Sequence, residues 1–246
     1  MLILTDVHFS YSEELKVLRG VNLSLDRGES VAVMGQNGCG KTTLLMVAAG
    51  LLDPEKGHIL LDGNVLKDQL PQARRRIGLV FQDPDDQLFN PTVYEEIAFA
   101  PRQILSPEEV KERVLEVADR LNLRSLLSRP PYKLSMGEKR MVTIASILAY
   151  DPELLLLDEP TANLSYTNIM EIKRILAEAK NKDKAVLVAS HDIEFIAETM
   201  DRIYILYDGL LHGGLPVESI LSNGDLLNLA GVNPQLVQAM KKYTRT

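Results

Sequence analysis

From Gly35 to Thr42 the chain reads Gly-Gln-Asn-Gly-Cys-Gly-Lys-Thr, with two glycines bracketing the run before a lysine and a hydroxyl residue. Glycines let the backbone turn where side chains would block it, so successive N–H groups converge on phosphate oxygens at the positive end of a helix. In such a loop Lys41 reaches the β- and γ-phosphates and Thr42 ligates Mg²⁺, while Gly35, Gln36, Asn37, Gly38, Cys39, Gly40 and the following Thr43 border the bound phosphates. The alternative is a glycine-rich turn that only happens to precede a helix. A helix start also favours the thiolate of Cys39. Farther along, Leu154–Leu157 lead into Asp158-Glu159, two carboxylates at the end of an apolar strand. Asp158 suits a Mg²⁺-holding role, and Glu159 suits polarisation of an attacking water; the alternative is that both merely solvate a strand end. Gln82 and His191 each close a strand-like segment and so could line the same carboxyl-end crevice, although taken singly a strand-end glutamine is more often a loop contact and a lone histidine more often structural.

The elements that must carry these residues follow from periodicity. Segments 2–11 and 21–25 alternate apolar and polar residues, and 30–35 is more continuously apolar, which predicts strands of a mixed sheet. A helix is expected over Thr42–Leu52, then strands at 58–63 and 76–82. Thr92/Glu95, Ser106/Glu109 and Ser135/Glu138 each place a hydroxyl residue three positions before a glutamate, the pattern of a helix start, so residues 84–150 read as mostly helical. Strands return at 154–158, 185–192 and 202–209, with a helix over Asn168–Ala179. Residues 217–246 read as two short helices with a break from Gly231 to Pro234. Alternating strands and helices imply an α/β core with a largely parallel sheet and a ligand site at the carboxyl ends of its strands.

A chain of 246 residues, 46% of them hydrophobic, buries a substantial core, and one domain over residues 1–246 is the simplest division. Its net charge of −7 supplies no overall field toward phosphate backbones, so nucleic acid is not expected as a principal partner. No apolar stretch reaches the roughly 18–20 residues that span a bilayer, and the N-terminus lacks the regions of a signal peptide. The chain by itself is expected in the cytoplasm. The single cysteine excludes an internal disulfide and a multi-cysteine zinc site.

Phosphate loop, Gln82, Leu134-Ser135-Met136-Gly137-Glu138, Asp158-Glu159 and His191 occur in the order found in ABC-transporter ATPases, and the resemblance covers nearly the whole chain. It implies a P-loop NTPase core with a largely parallel sheet, an N-terminal antiparallel β subdomain and an inserted helical signature subdomain at about 84–150. It also implies a head-to-tail dimer closing on two ATP molecules. Each nucleotide is then held between one subunit's phosphate loop and the other's Leu-Ser-Gly-Gly-Gln-like signature, where Ser135 and Gly137 act. By the same resemblance Gln82 contacts Mg²⁺ and senses a transmembrane partner, and His191 contacts the γ-phosphate. Tyr11 matches the aromatic that stacks on adenine; a half-buried strand tyrosine is the alternative.

Residues 81–103 resemble the ATPases of energy-coupling-factor transporters, importers of vitamins and of transition metals such as cobalt and nickel. In that group acidic residues near the glutamine receive arginine-bearing helices of a membrane coupling protein. Asp83, Asp85 and Asp86 have the charge for that, or form a solvated acidic loop. The chain departs from the pattern at Met136, where the signature has glycine, and at Asn163 and Ser165, where glycine and aspartate are common. The implied function is an ATP- and Mg²⁺-dependent subunit, peripheral on the cytoplasmic face of the cell membrane. Its catalytic residues would be Lys41, Gln82, Glu159 and His191. Its partners would be a second ATPase subunit, identical or different, a transmembrane coupling protein and a substrate-binding membrane protein. A soluble ABC protein of DNA repair or translation fits less well, because no coiled-coil insertion separates Lys41 from Leu134. A small-molecule kinase leaves the signature segment unexplained.

Overall fold

The computed structural model describes residues 1–243; the last three positions of the C-terminal stretch, 244–246, lie outside the described residues. Strands β1 (Leu2–Ser10) and β2 (Lys16–Leu25) largely alternate buried and outward-facing side chains, as a sheet with one face on a core requires. β3 (Ser30–Met34) is buried at every position and runs through the glycine-rich loop into α1 (Lys41–Ala48). β4 (Lys56–Leu61), β5 (Asn64–Val65) and β6 (Ile77–Val80) follow. Helices α2 (Val93–Ala98), α3 (Pro107–Arg120) and α4 (Met136–Leu148) then intervene before β7 (Leu154–Asp158). The chain continues through α5 (Tyr166–Asn181), β8 (Ala185–Ala189), α6 (Ile193–Thr199), β9 (Arg202–Tyr207) and β10 (Leu210–Pro216). It closes with α7 (Val217–Ile220), α8 (Gly224–Leu229) and α9 (Pro234–Tyr243).

Two sheets result. An antiparallel sheet has the order β2-β1-β4-β5, and a second sheet has the order β10-β9-β3-β8-β7-β6, parallel except for the β9–β10 hairpin. This is a mixed α/β architecture. The period of two along β3 divides its side chains between two cores. Val31 and Val33 join Leu44 and Leu45 of α1 and the apolar face of β1 and β2, whereas Ala32 and Met34 join the helices on the opposite face.

Local chemistry sets the helix ends. α1 stops at Ala48, short of the expected Leu52, because Gly50 takes a left-handed φ of 69° just past the cap. α5 begins at Tyr166, ahead of the expected Asn168, because the Ser165 hydroxyl accepts from the Asn168 N–H. Ser106 and Ser135 each form reciprocal capping pairs with a glutamate three residues on. Thr92 caps α2 through the Glu95 N–H, while the Glu95 carboxylate turns to Arg102.

Gly78 brings α4 close to β6. A Cβ at that position would collide with the Ile147 side chain of α4 and stand 2.8 Å from the Pro152 ring, neither of which has a flexible end to yield. Gly78→Ala is therefore expected to lower unfolding free energy by about 1–3 kcal/mol, read as a drop in the urea midpoint with unchanged slope.

Candidate functional site

The parallel strands β3, β8, β7 and β6 deliver their carboxyl ends to one side of the sheet, and the residues that follow them meet there. Gly40 can stand before α1 only as glycine: its φ is 106°, and a Cβ would lie 2.5 Å from Val17 Cγ1. A Cβ on Gly35 would lie 2.5 Å from the Leu206 carbonyl oxygen of β9. The loop is thereby held against its neighbours, and the Cys39 N–H closes a turn within it on the Gln36 carbonyl at 3.3 Å. Lys41, 8% exposed, donates from Nζ to the carbonyls of Gly35 at 2.9 Å and Gln36 at 3.2 Å. An ammonium folded over its own loop keeps a positive charge at the helix start.

Thr42 Oγ1 donates to Asp158 Oδ2 at 2.5 Å, tying the phosphate loop to the end of β7. Burial pushes the Asp158 carboxyl above its ordinary range, and the Thr42 hydrogen bond opposes that shift. Glu159, 4% exposed, sits at a left-handed φ of 45°, a backbone state that persists for a non-glycine residue only when its surroundings hold it. They do so here. Its N–H donates to the Ala189 carbonyl at 2.8 Å, its Oε2 accepts from the Ser190 hydroxyl at 3.2 Å, and His191 Nδ1 lies 2.8 Å from Oε1. The histidine side chain itself stands largely in solvent.

Tyr11, Asn37, Gly38, Gly40, Lys41, Thr42, Thr43, Gln82, Asp158 and Glu159 line a single cleft. Tyr11 stands at its rim, 55% exposed, edge-on to Phe9 with ring centroids 5.0 Å apart and its hydroxyl 3.2 Å from Thr43 Oγ1. Gln82 lies beyond the end of β6 rather than on it. Gly35 and Gln36 contribute their carbonyls to Lys41, and His191 reaches the cleft through Glu159. Ser135 and Gly137, at the start of α4, do not line this cleft. Among the described residues no group of three or more His, Cys, Asp or Glu would hold a metal by itself. A hydroxyl, one carboxylate and an amide beside a phosphate site suit Mg²⁺, which takes few protein ligands and completes its shell with phosphate and water.

The departures from the family pattern resolve differently. Asn163 has a φ of 60°, which asparagine tolerates nearly as glycine does, and Ser165 caps α5 as aspartate would. Met136, 41% exposed, has no such equivalence. Of the three acids after Gln82, Asp85 is already paired with Lys139 Nζ at 2.6 Å, and Asp83 caps its own turn through the Asp85 N–H. Lys139 and Arg140, both buried on α4, were not singled out from the sequence. The signal was the mostly apolar stretch directly after them, Met141, Val142, Ile144 and Ala145, which shows that this turn enters the core.

Cys39 corrects an expectation. Its side chain packs toward Gly35 and the apolar core, and burial pushes the thiol pKa up rather than favouring thiolate. Maleimide at neutral pH is expected to label Cys39 several-fold more slowly in the native protein than in urea; equal rates, followed by mass spectrometry, would contradict this placement.

Comparisons with known proteins match the fold. A profile of the ABC transporter family matches residues 18–162. An energy-coupling factor transporter ATP-binding protein EcfA of Methanothermobacter thermautotrophicus is 42% identical over 237 residues, covering 94% of this chain and 76% of its own length. A putative ABC transporter ATP-binding protein of Geobacter sulfurreducens is 40% identical over 224 residues, 90% of this chain and 89% of its own. The solved structure of cbiO1 from Clostridium perfringens, part of the ABC transporter complex cbiONQ, matches with a TM-score of 0.77 and 31% identity over 98% of both chains. A dimeric bacterial ABC transporter cassette matches with a TM-score of 0.81 and 30% identity over 88% of this chain and 99% of that one. With the family profile over more than half of its residues and relatives at about 40% identity along most of its length, this chain belongs to the ABC transporter ATPases, among which it resembles the energy-coupling-factor type.

Proposed function

We propose that this chain is the motor subunit of an energy-coupling-factor importer for a vitamin or transition-metal ion, placed on the cytoplasmic face of the membrane. It would work with a second ATPase subunit, a transmembrane coupling protein and a substrate-binding membrane protein. The observation that carries the reading is the 2.5 Å contact between Thr42 and Asp158, a hydroxyl and a carboxylate of the kinds Mg²⁺ takes, beside the glycine-rich loop in one cleft. Among the described residues no helix is long and apolar enough to cross a membrane.

In this reading the N–H groups of residues 35–43 cradle the phosphates, and Lys41 exchanges its two loop carbonyls for β- and γ-phosphate oxygens. Thr42, Asp158 and Gln82 would hold Mg²⁺, which would supply charge neutralisation to the phosphates when bound. Tyr11 stacks on the adenine, a contact worth about 1–3 kcal/mol for bases on aromatics elsewhere. Glu159 orients the attacking water and takes its proton, while His191, already held against Glu159, turns toward the γ-phosphate. Ser135 and Gly137 serve the nucleotide of the neighbouring subunit. Both composite sites of a homodimer would meet Met136, whereas a different partner with an unaltered signature would complete the site built on Lys41.

Glu159→Gln is expected to bind ATP, accumulate as a closed dimer on size exclusion and lose nearly all hydrolysis; turnover at the unmutated rate would remove Glu159 as the base. Lys41→Ala is expected to weaken ATP binding by at least tenfold in calorimetry. In assemblies with the membrane coupling protein, Met136→Gly is expected to raise ATPase activity of the lone chain more than that of a mixed pair. No difference between the two settings would leave Met136 a tolerated variant.

A further inference from the structure

The main-chain carbonyls of Phe81 and Gln82, just past the end of β6, are both held by a side chain of α4. Arg140 is 2% exposed, yet its guanidinium spends its hydrogen bonds on main-chain carbonyls rather than on a carboxylate. Nη1 donates to the Phe81 carbonyl at 2.5 Å and Nη2 to the Gln82 carbonyl, while buried Nε has no partner among the described residues. Burying a guanidinium is costly, and here burial lowers its pKa, a shift that the negative charges of Asp158, Asp83 and Glu159 partly offset. The fork of Arg fixes two acceptors in a plane, which one lysine donor on a flexible stem does not reproduce. One residue earlier, Lys139 Nζ holds both oxygens of Asp85, at 2.6 and 2.8 Å. Adjacent residues of one helix thus grip both ends of the 81–85 loop.

We propose that Arg140 is a positioning residue: it fixes the Gln82 backbone so that the side-chain amide faces the Mg²⁺–nucleotide site, and it makes that placement depend on α4. The helix that α4 forms is the one capped by Ser135, so any shift of the signature segment carries the Gln82 loop with it. The inference rests on the reading of Gln82 as a group that faces the Mg²⁺–nucleotide. Apolar packing explains the position of α4 itself, through Met141, Val142, Ile144 and Ala145 in the helical core, but does not account for a buried, forked cation aimed at two loop carbonyls.

The test uses the full chain in a Glu159→Gln background, where ATP is bound without turnover. ATP affinity is measured by calorimetry in EDTA and in excess Mg²⁺, and the ratio of the two is the readout. Arg140→Met is expected to leave affinity in EDTA within twofold and to reduce the Mg²⁺-dependent gain about tenfold, with Arg140→Lys reducing it about threefold. Gln82→Ala, run in parallel, should reduce the gain as well. If Gln82→Ala leaves the gain intact, the reading of Gln82 is wrong. If Gln82→Ala lowers the gain and a folded Arg140→Met does not, the positioning role is refuted even where melting temperature has dropped. Should Arg140→Met fail to fold, Arg140→Lys decides: an unchanged gain in that variant overturns the proposal.

Discussion

The hydrogen bond from Thr42 to Asp158 is the contact on which the rest of the arrangement depends. Its two atoms belong to residues far apart in the chain, and they meet only because β8 lies between β3 and β7 in a parallel sheet with matching register. Ser30 pairs with Val186, and Leu154 with Ala185, so all three strands end at one level. A parallel sheet buried on both faces allows little slippage, since a shift of one residue would exchange the two cores. The rigidity of that sheet converts a loop of high conformational freedom into a cradle with a fixed distance to a carboxylate.

Charge is concentrated at this place to a degree that an apolar interior ordinarily excludes. Lys41, Arg140, Asp158 and Glu159 are all buried within the region where the strands end. Each is compensated differently: Lys41 by loop carbonyls, Asp158 by a hydroxyl, Glu159 by Ser190 and His191, Arg140 by the carbonyls of Phe81 and Gln82. Buried polar networks of this kind stabilise little compared with apolar packing, and their value lies in holding donors and acceptors preorganised. The left-handed Glu159 fits the same account, a strained residue kept in place because Ala189, Ser190 and His191 all hold it.

The periphery bears on the loop too. The turn between α8 and α9 sets Gly231, at a φ of 77°, so close to Gln36 that a Cβ there would lie 2.9 Å from Gln36 Cγ. Leu227, Ala230 and Val237 bury themselves in the helical core alongside Met34, the residue that leads into the loop. Residues 227–237 therefore pack beside the phosphate loop.

Much of this was legible in the residues themselves. The glycine spacing before Lys41, the apolar run ending in Asp158-Glu159 and the paired Ser/Glu helix starts depend on local backbone sterics and local hydrogen bonds, which a sequence carries directly. Helix ends were less legible, because Gly50 and Ser165 decide them through single dihedral and capping choices within a stretch of uniform propensity. What the tertiary structure alone decided is of another kind. That Cys39 turns into the core, that Asp85 is already spent on Lys139, that Asn163 sits where only a left-handed backbone fits, and that Arg140 grips the Gln82 loop all follow from long-range packing. A side chain's charge is written in its type, but its partner is set by which strands and helices happen to meet it, and that meeting is fixed by the register of the whole sheet.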